Sequence, residues 1–564
     1  MVLSARFFVT LWLKTLQMIR NKISPELPGL VFETPFSATL SPNNRWVKLS
    51  SIIPWDKLMN VYHSSLDSTQ GAPAKHARLV LGALIVQHLL TLSDEETIET
   101  IRENIYLQYF VGLPSFQTEA IFDPSLLVTI RRRLDLSIFQ AFDAILVEKN
   151  NEILAATQST KKNRQQHKSL SNTPQTPQDP TDDTERNADN TEQNTNNTEQ
   201  NPDDTPVDSP PNTPTKLPIV GNTEPMPANK GTLIADMTTV PQAIKYPTDL
   251  DLIREARKKS EEIIDILWES IIHKSSNKPR TYRQEAHKHY VATALKRRKS
   301  HAELRQAIRK QLSYLKRNLQ TIEKLLDQTP LNVLTRKQLR YYWIIQTLYQ
   351  QQQEMYDQNK RRIDHRIVSI HQPHVRPIVR GKQNTPVEFG AVVGMSLSNG
   401  LISVDKITYD ARNEADDLET QVEHYKKKYG YYPAEVIADA KYGTKKNRAF
   451  LSSKQIRWGG KNLGKNKEDL APKSKKEKQQ EKQDKVKRIA IEGKFGQGKR
   501  AYGLNKIMTK LPETSVAYIC AACLVMNLLT LLRRFLVPLQ NIANYLKYII
   551  NYKQYTQITK PLFQ

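Results

Sequence analysis

Apolar and polar positions change their rhythm several times along this chain. Leu79 to Leu92 is strongly apolar. Ser93-Asp94-Glu95-Glu96 then supplies a capping side chain and first-turn acids, which predicts a helix from about Glu96 to Tyr109. Asp123-Pro124-Ser125 opens another helix, which carries Arg131, Arg132 and Arg133 in series, so residues 44–157 read as a helical domain. Three successive arginines cannot share one helix face, so at least one points outward. Between 158 and 230 large apolar residues almost vanish in favour of Asn, Thr, Gln, Pro and Asp, the pattern of a linker that cannot offset its ordering entropy.

Order resumes at Gly231. Thr232 to Ala235 reads as a short buried strand ending at Asp236. From Asp249 to about Lys360 the period becomes helical, with Leu304, Ile308, Leu312, Leu315, Leu319 and Ile322 as one apolar stripe and Lys296-Arg297-Arg298-Lys299 on a basic exterior. Val387 to Val393 and Leu401 to Val404 flank Ser398-Asn399-Gly400, a hairpin signal. A helix over 415–428 ends at Gly430, and Ala434 to Ala438 forms a further strand that delivers Asp439. A strand reached through a helix is a crossover unit. The order predicts an α/β nuclease-like sheet with a large all-helical insertion after its first strand. Val516 to Leu532 is nearly continuous and apolar, but short for a membrane span and interrupted by Asn527, which predicts a buried helix.

Charge narrows the partners. The 564 residues carry a formal net charge of +25. Acids crowd between Ser171 and Pro210 around the single base Arg186, so the rest of the chain is more basic still. Such an excess repels itself unless a polyanion is bound, and nucleic acid is the commonest polyanion. A basic membrane-surface protein would show the same excess. The two cysteines, Cys520 and Cys523, lie one turn apart in the apolar run with no second metal-ligand pair, and read as small core residues of an intracellular, disulfide-free chain. His371 and His374 could ligate a metal, but Pro373 lies between them and no carboxylate pattern supports them.

Asp236 and Asp439 each follow a short apolar strand. Ligands bind at the carboxyl ends of strands in open α/β sheets, and hard cations such as Mg²⁺ take carboxylate oxygens. In the run Arg488 to Arg500, helical geometry places Arg488, Glu492 and Lys499 within roughly a 40° arc. One face then offers a carboxylate flanked by two cations, which suits phosphodiester chemistry. Gly493, Gly496 and Gly498 weaken that helix and would let a DNA backbone approach.

These residues carry a resemblance. Asp236, then Asp439-Ala440-Lys441-Tyr442-Gly443-Thr444-Lys445-Lys446-Asn447-Arg448, then Arg488, Glu492 and Lys499 resemble bacterial insertion-sequence transposases with a ribonuclease-H-like DDE core. The group is the fifth insertion-sequence family, within the superfamily marked by a Tyr-Arg-Glu-Lys signature. His371 to Lys382, Thr248-Asp249-Leu250, Leu81 to Leu84 and Tyr109 to Leu113 are similar to it as well. The signature tyrosine would fall at 485, where Lys485 stands, and Ile489 replaces a frequent asparagine.

The resemblance implies a ribonuclease-H-like core in two parts, 231–248 and 371–536, interrupted by a helical insertion at 249–370. Around it lie an extension at 1–43, a helical DNA-binding domain at 44–157, the acidic linker at 158–230 and a tail at 537–564. It implies two Mg²⁺ ions, with Mn²⁺ as a substitute, held by Asp236, Asp439 and Glu492. Arg488, Lys499 and Tyr442 would contact DNA near the scissile bond, and Arg131, Arg132 and Arg133 would contact it at a distance. The implied partners are double-stranded DNA, as transposon ends and target, and further copies of the chain in a homodimer or higher oligomer; a membrane is not implied, and the location is cytoplasmic. The expected activity is cleavage and strand transfer at terminal inverted repeats. A catalytically inactive DNA-binding derivative, or a non-transposing nuclease, stays open beside it.

Overall fold

The computed structural model describes residues 19–20, 40–66, 72–170, 228–271, 277–330, 332–379, 387–463 and 474–558. Most of the expected extension (1–43) and linker, and Arg380-Gly381-Lys382, lie outside the described residues. The amino-terminal helices are α1 (Arg45–Ile52), α2 (Trp55–Ser64), α3 (Ala77–Leu90), α4 (Asp94–Glu103), α5 (Ile105–Phe110), α6 (Ser125–Arg133) and α7 (Leu136–Leu170). The helix expected over 96–109 is two. Ser93 and Glu96 form a reciprocal capping box on α4, and Asn104 ends it in extended backbone while capping α5 with its own side chain. The backbone of α7 stays helical through Leu170, past the start of the expected linker.

The sheet is mixed. β1 (Thr232–Pro241) pairs in parallel with β5 (Glu435–Ile437), which pairs in parallel with β6 (Arg457–Trp458). On its other edge β1 runs antiparallel to β3 (Val387–Ser398), and β3 also carries β2 (Arg376–Val379) and β4 (Leu401–Thr408). Asn399 and Gly400, both at positive φ, make the hairpin turn between β3 and β4 that the Asn-Gly pair predicts. Between β4 and β6 come α12 (Leu418–Tyr429), closed by Gly430 in the left-handed region, and α13 (Lys445–Ser453). β1 is longer than expected, continuing through Asp236 to Pro241 because β3 still pairs with it there. What ends near Asp236 is the parallel ladder to β5, last registered at Ile234 and Ile437. The mixed sheet and its helices are consistent with a ribonuclease-H-like fold.

Strand alternation divides the two faces of the sheet. Leu233, Ala235, Val436 and Ala438 pack against α12 and α13. Ile234, Val240 and Ile437 face the other way, toward α14 (Lys475–Ala501) and α15 (Pro512–Ile558). The amino-terminal helices join this second core, because α15 packs against both them and β4. The apolar stretch of α15, Pro512 to Leu536, is long and apolar enough to cross a membrane, but 72% of its most apolar window is buried in the protein. Asn527 is used inside, accepting from the Ile402 N–H (2.8 Å) and donating to the Ile402 carbonyl (2.7 Å) of β4. Cys520 and Cys523 are free and buried there.

Between β1 and β2 stand α8 (Asp249–Ser270), α9 (Arg283–Ala294), α10 (His301–Leu326) and α11 (Arg336–Asp357). The apolar stripes of α8, α10 and α11 close on each other in a core of their own, which is why the helical period there is so regular.

Candidate active site

Parallel register brings two of the expected acids together. Ile234 is paired with Ile437, so two residues on, Asp236 and Asp439 stand abreast on the face toward α14. Each accepts a hydrogen bond from the next backbone N–H, Met237 to Asp236 and Ala440 to Asp439, both 2.8 Å, which leaves carboxylate oxygen free to bind a further group. Burial pushes Asp236 up to about 6, opposed by the Met237 N–H and by Arg488, and reinforced by the charges of Glu414 and Asp439.

The third acid arrives on α14. Ser474 and Glu477 start this helix with a capping box, and it runs unbroken through its glycines. Arg488 and Glu492, one turn apart, form an ion pair at 3.0 Å, and the same guanidinium lies 3.8 Å from Asp236. Glu492 is therefore linked to Asp236 through Arg488. Among the described residues, no three His, Cys, Asp or Glu side chains gather closely enough to hold a metal ion together. The donor chemistry nevertheless fits a hard divalent cation: all candidate ligands are carboxylate oxygens, and a positive group already stands between them.

Other expected site residues land elsewhere. Lys499 lies with Thr238 and Val240 of β1 and Met526 of α15, farther down the helix than the aspartate pair. Tyr442 is fully buried, so its side chain is not exposed for the DNA contact expected of it. Its hydroxyl has no partner among the described residues, and burial followed by Glu414, Asp236, Asp417 and Asp405 holds its pKa far above the ordinary range. Arg131 is likewise unavailable to DNA: it is buried, with two nitrogens on the Asp94 carboxylate at 2.8 and 2.5 Å. Arg133 is half-buried beside Tyr62, and Arg132 is the outward-pointing member that the sequence required. The glycines of α14 differ too. A Cβ at Gly493 would meet nothing within 4 Å, whereas at Gly498 it would sit 2.8 Å from Leu504, so Gly498 serves packing. Of the two histidines, His371 bonds the Tyr341 hydroxyl at 2.8 Å, and burial first, then Arg340 and Arg376, pushes His374 down to about 4.

Sequence reasoning missed two features. Glu414, in the turn before α12, has a side chain only 12% exposed and is paired with Lys441 at 3.2 Å, yet its charge acts on Asp236. The second is a cavity of about 690 Å³ beside the pair, bounded by Asp439, Trp458, Gly460, Lys485 and Arg488. Its wall is fixed by Arg457, which grips Asp484 of α14 with two bonds of 2.8 Å and also pairs with Glu435. The only sequence signal for it is Trp458-Gly459-Gly460-Lys461, small residues between an aromatic and a base.

Residues 436–529 match the family model described as Transposase DDE domain, and residues 35–133 match Transposase domain (DUF772). More particularly, these matches bear out the resemblance to insertion-sequence DDE transposases. Asp439 and Glu492 lie inside the first match; Asp236 and the helices between β1 and β2 lie outside both. The chain is also 34% identical over 104 residues to "Uncharacterized protein ORF8 in nfe locus" of Rhizobium meliloti, an alignment covering 18% of this chain and 50% of that protein. The chain thus spans about half the length of that curated relative. No solved structure matches.

Proposed function

We propose that this chain is a transposase that binds the terminal inverted repeats of an insertion sequence, cleaves DNA there and joins the ends to a target. One observation carries the reading: Asp236 on β1 and Asp439 just past the end of β5 are close enough for the charge of Asp439 to act on Asp236, and α14 presents Arg488 and Glu492 to Asp236. DDE transposase domains generally use divalent metal ions. Asp236, Asp439 and Glu492 would hold Mg²⁺, or Mn²⁺ in its place, which supplies an activated oxygen nucleophile and charge stabilisation for in-line displacement.

The chain's own residues do the rest. Arg488 offers a guanidinium to a phosphate, and its release from Glu492 would free that carboxylate. Lys485 and Lys461 line the adjoining cavity and favour an anionic strand within it. Lys499 supports the helix against β1 and neutralises phosphate charge from farther along. Arg132 gives the amino-terminal helices one exposed base for contact at a distance. In this reading α8 to α11 are an insertion after the first strand of a ribonuclease-H-like core, and copies of the chain assemble on the two DNA ends.

The test is cleavage and joining of duplexes carrying the element's ends in Mg²⁺ by Asp236→Asn, Asp439→Asn and Glu492→Gln. Each should lower both steps by roughly 10²-fold or more while DNA affinity changes little, since affinity rests on basic groups. Parent-level cleavage by any one variant would remove that residue from the site. The placement of Arg488 between Glu492 and Asp236 favours a second reading, a DNA-binding derivative without catalysis. An unmodified chain that binds the ends but never cleaves them in Mg²⁺ or Mn²⁺ would establish it.

A further inference from the structure

Two basic runs about sixty residues apart in the chain flank the same end of the helical block: one closely precedes His301, and the other contains Lys360 and Arg361, which share a groove with His301. Lys296-Arg297-Arg298-Lys299 leads into α10, and Lys360-Arg361-Arg362 follows α11. His301, Arg305 and Ile308 of α10 lie against Tyr356 of α11 and against Lys360 and Arg361 just beyond its end. They line a groove of about 320 Å³. All seven residues of the two runs are exposed. Lys296 is occupied by Glu303 at 2.6 Å and Lys299 by the Lys296 carbonyl. Among the described residues, Arg297, Arg298, Lys360, Arg361 and Arg362 have no acidic partner. Asp364 is the single acid between Lys360 and Arg366, and Arg366 itself is bound to Asp249 at 2.5 Å.

We propose that this end of the helical block is a second DNA-backbone site, apart from the catalytic cleft. A fold that gathers unpaired guanidinium groups from two distant segments sustains their mutual repulsion unless a polyanion answers it. Arginine predominates among the unpaired members, and its fork matches phosphate oxygens. The groove has apolar walls, Leu304, Ile308 and Met355, and the Arg305 guanidinium sits over the Tyr356 ring, 4.1 Å from its centroid. That stacking fixes one guanidinium at the groove's edge instead of leaving it to wander. The partner is duplex DNA beyond the segment being cut, so the inference rests on the DNA-acting function above.

The experiment compares the full chain with a variant carrying Arg297→Gln, Arg298→Gln, Arg361→Gln and Arg362→Gln. Binding is measured at several salt concentrations to an end duplex of about one helical turn and to one of several turns. The variant should bind the long duplex at least tenfold more weakly, with the slope of log K against log salt flattened by roughly 0.9 for each phosphate no longer neutralised. It should bind the short duplex like the parent and cleave it normally at saturation. Equal long-duplex affinities would overturn the proposal. Equal weakening on both lengths would also overturn it, by showing a general field in place of a distant site. An unmodified chain that binds neither duplex would fail the transposase reading itself, and a Tm within a degree or two of the parent shows that these exposed changes leave the fold intact.

Discussion

The Arg488 guanidinium bridges Asp236 and Glu492, its Nη1 3.8 Å from the Asp236 carboxylate and its Nη2 3.0 Å from that of Glu492. A fixed cation there relieves the repulsion among the acids, and it competes with any divalent ion that needs the same oxygens. Arg488→Gln should therefore bind Mn²⁺ at least as tightly as the parent, read by paramagnetic resonance or by the rise in Tm with added ion. Its cleavage of end DNA should fall by roughly 10²-fold, because the phosphate loses its guanidinium. Weaker Mn²⁺ binding would mean that Arg488 supports the ion site instead of competing for it.

Arg131 and Arg132 are neighbours with opposite fates. Removing Arg131 strands the Asp94 carboxylate, so Arg131→Ala should cost about 3–5 kcal/mol in urea unfolding. Arg132 is exposed, and Arg132→Ala should leave stability within about 0.5 kcal/mol of the parent. It should also lower the salt slope of DNA binding. Equal stability losses in the two variants would contradict the buried pair.

Tyr442 offers a sharper contrast. Its hydroxyl is buried without a partner among the described residues, so Tyr442→Phe should be neutral or stabilising by up to about 1 kcal/mol. Tyr442→Ala, which empties the ring's space, should cost about 3–5 kcal/mol. If Tyr442→Phe destabilises as much as the alanine variant, the hydroxyl must have a partner.

Asp143 of α7 is buried where the amino-terminal helices meet the sheet. Burial pushes it up to about 6, with Lys428, Ser403 and Asn527 opposing and Asp405 adding. The folded form thus holds its proton more tightly than the unfolded chain, whose aspartate lies near 3.8. Its favourable contribution is complete below pH 3.8 and is lost as pH rises to about 6. Asp143→Asn should accordingly gain up to ~2–3 kcal/mol over the parent at pH 7, with the gain disappearing near pH 4. A gain that did not vary with pH would dismiss Asp143 as its source.

How much of the site was legible follows from the range of each signal. Asp236 and Asp439 could be singled out because each lies just after a short apolar run, and the pairing of Arg488 with Glu492 follows from helical spacing alone. Glu414 could not be found in this way: it sits in an irregular turn, and only the packing of that turn near β1 gives its charge a bearing on Asp236. The wall of the cavity escaped for the same reason, because Arg457 reaches Asp484 across a gap in sequence that no local period spans.

Many elements and their ends were written locally in the chain: the capping box at Ser93, the Asn399-Gly400 turn, the Gly430 stop, and the helical stripes of α8 and α10. These are local matters of hydrogen bonds, backbone angles and burial periodicity, written within a few residues of where they act. Which of three consecutive arginines forms a core ion pair, the sealing of Tyr442 from solvent and the packing of Gly498 near Leu504 came from long-range packing. That packing also decided that α15 draws the amino-terminal helices and the sheet into one core. Burial is a property of what comes to lie opposite a residue, and in a chain whose core joins segments hundreds of positions apart, neither charge nor period along the sequence can say what that will be.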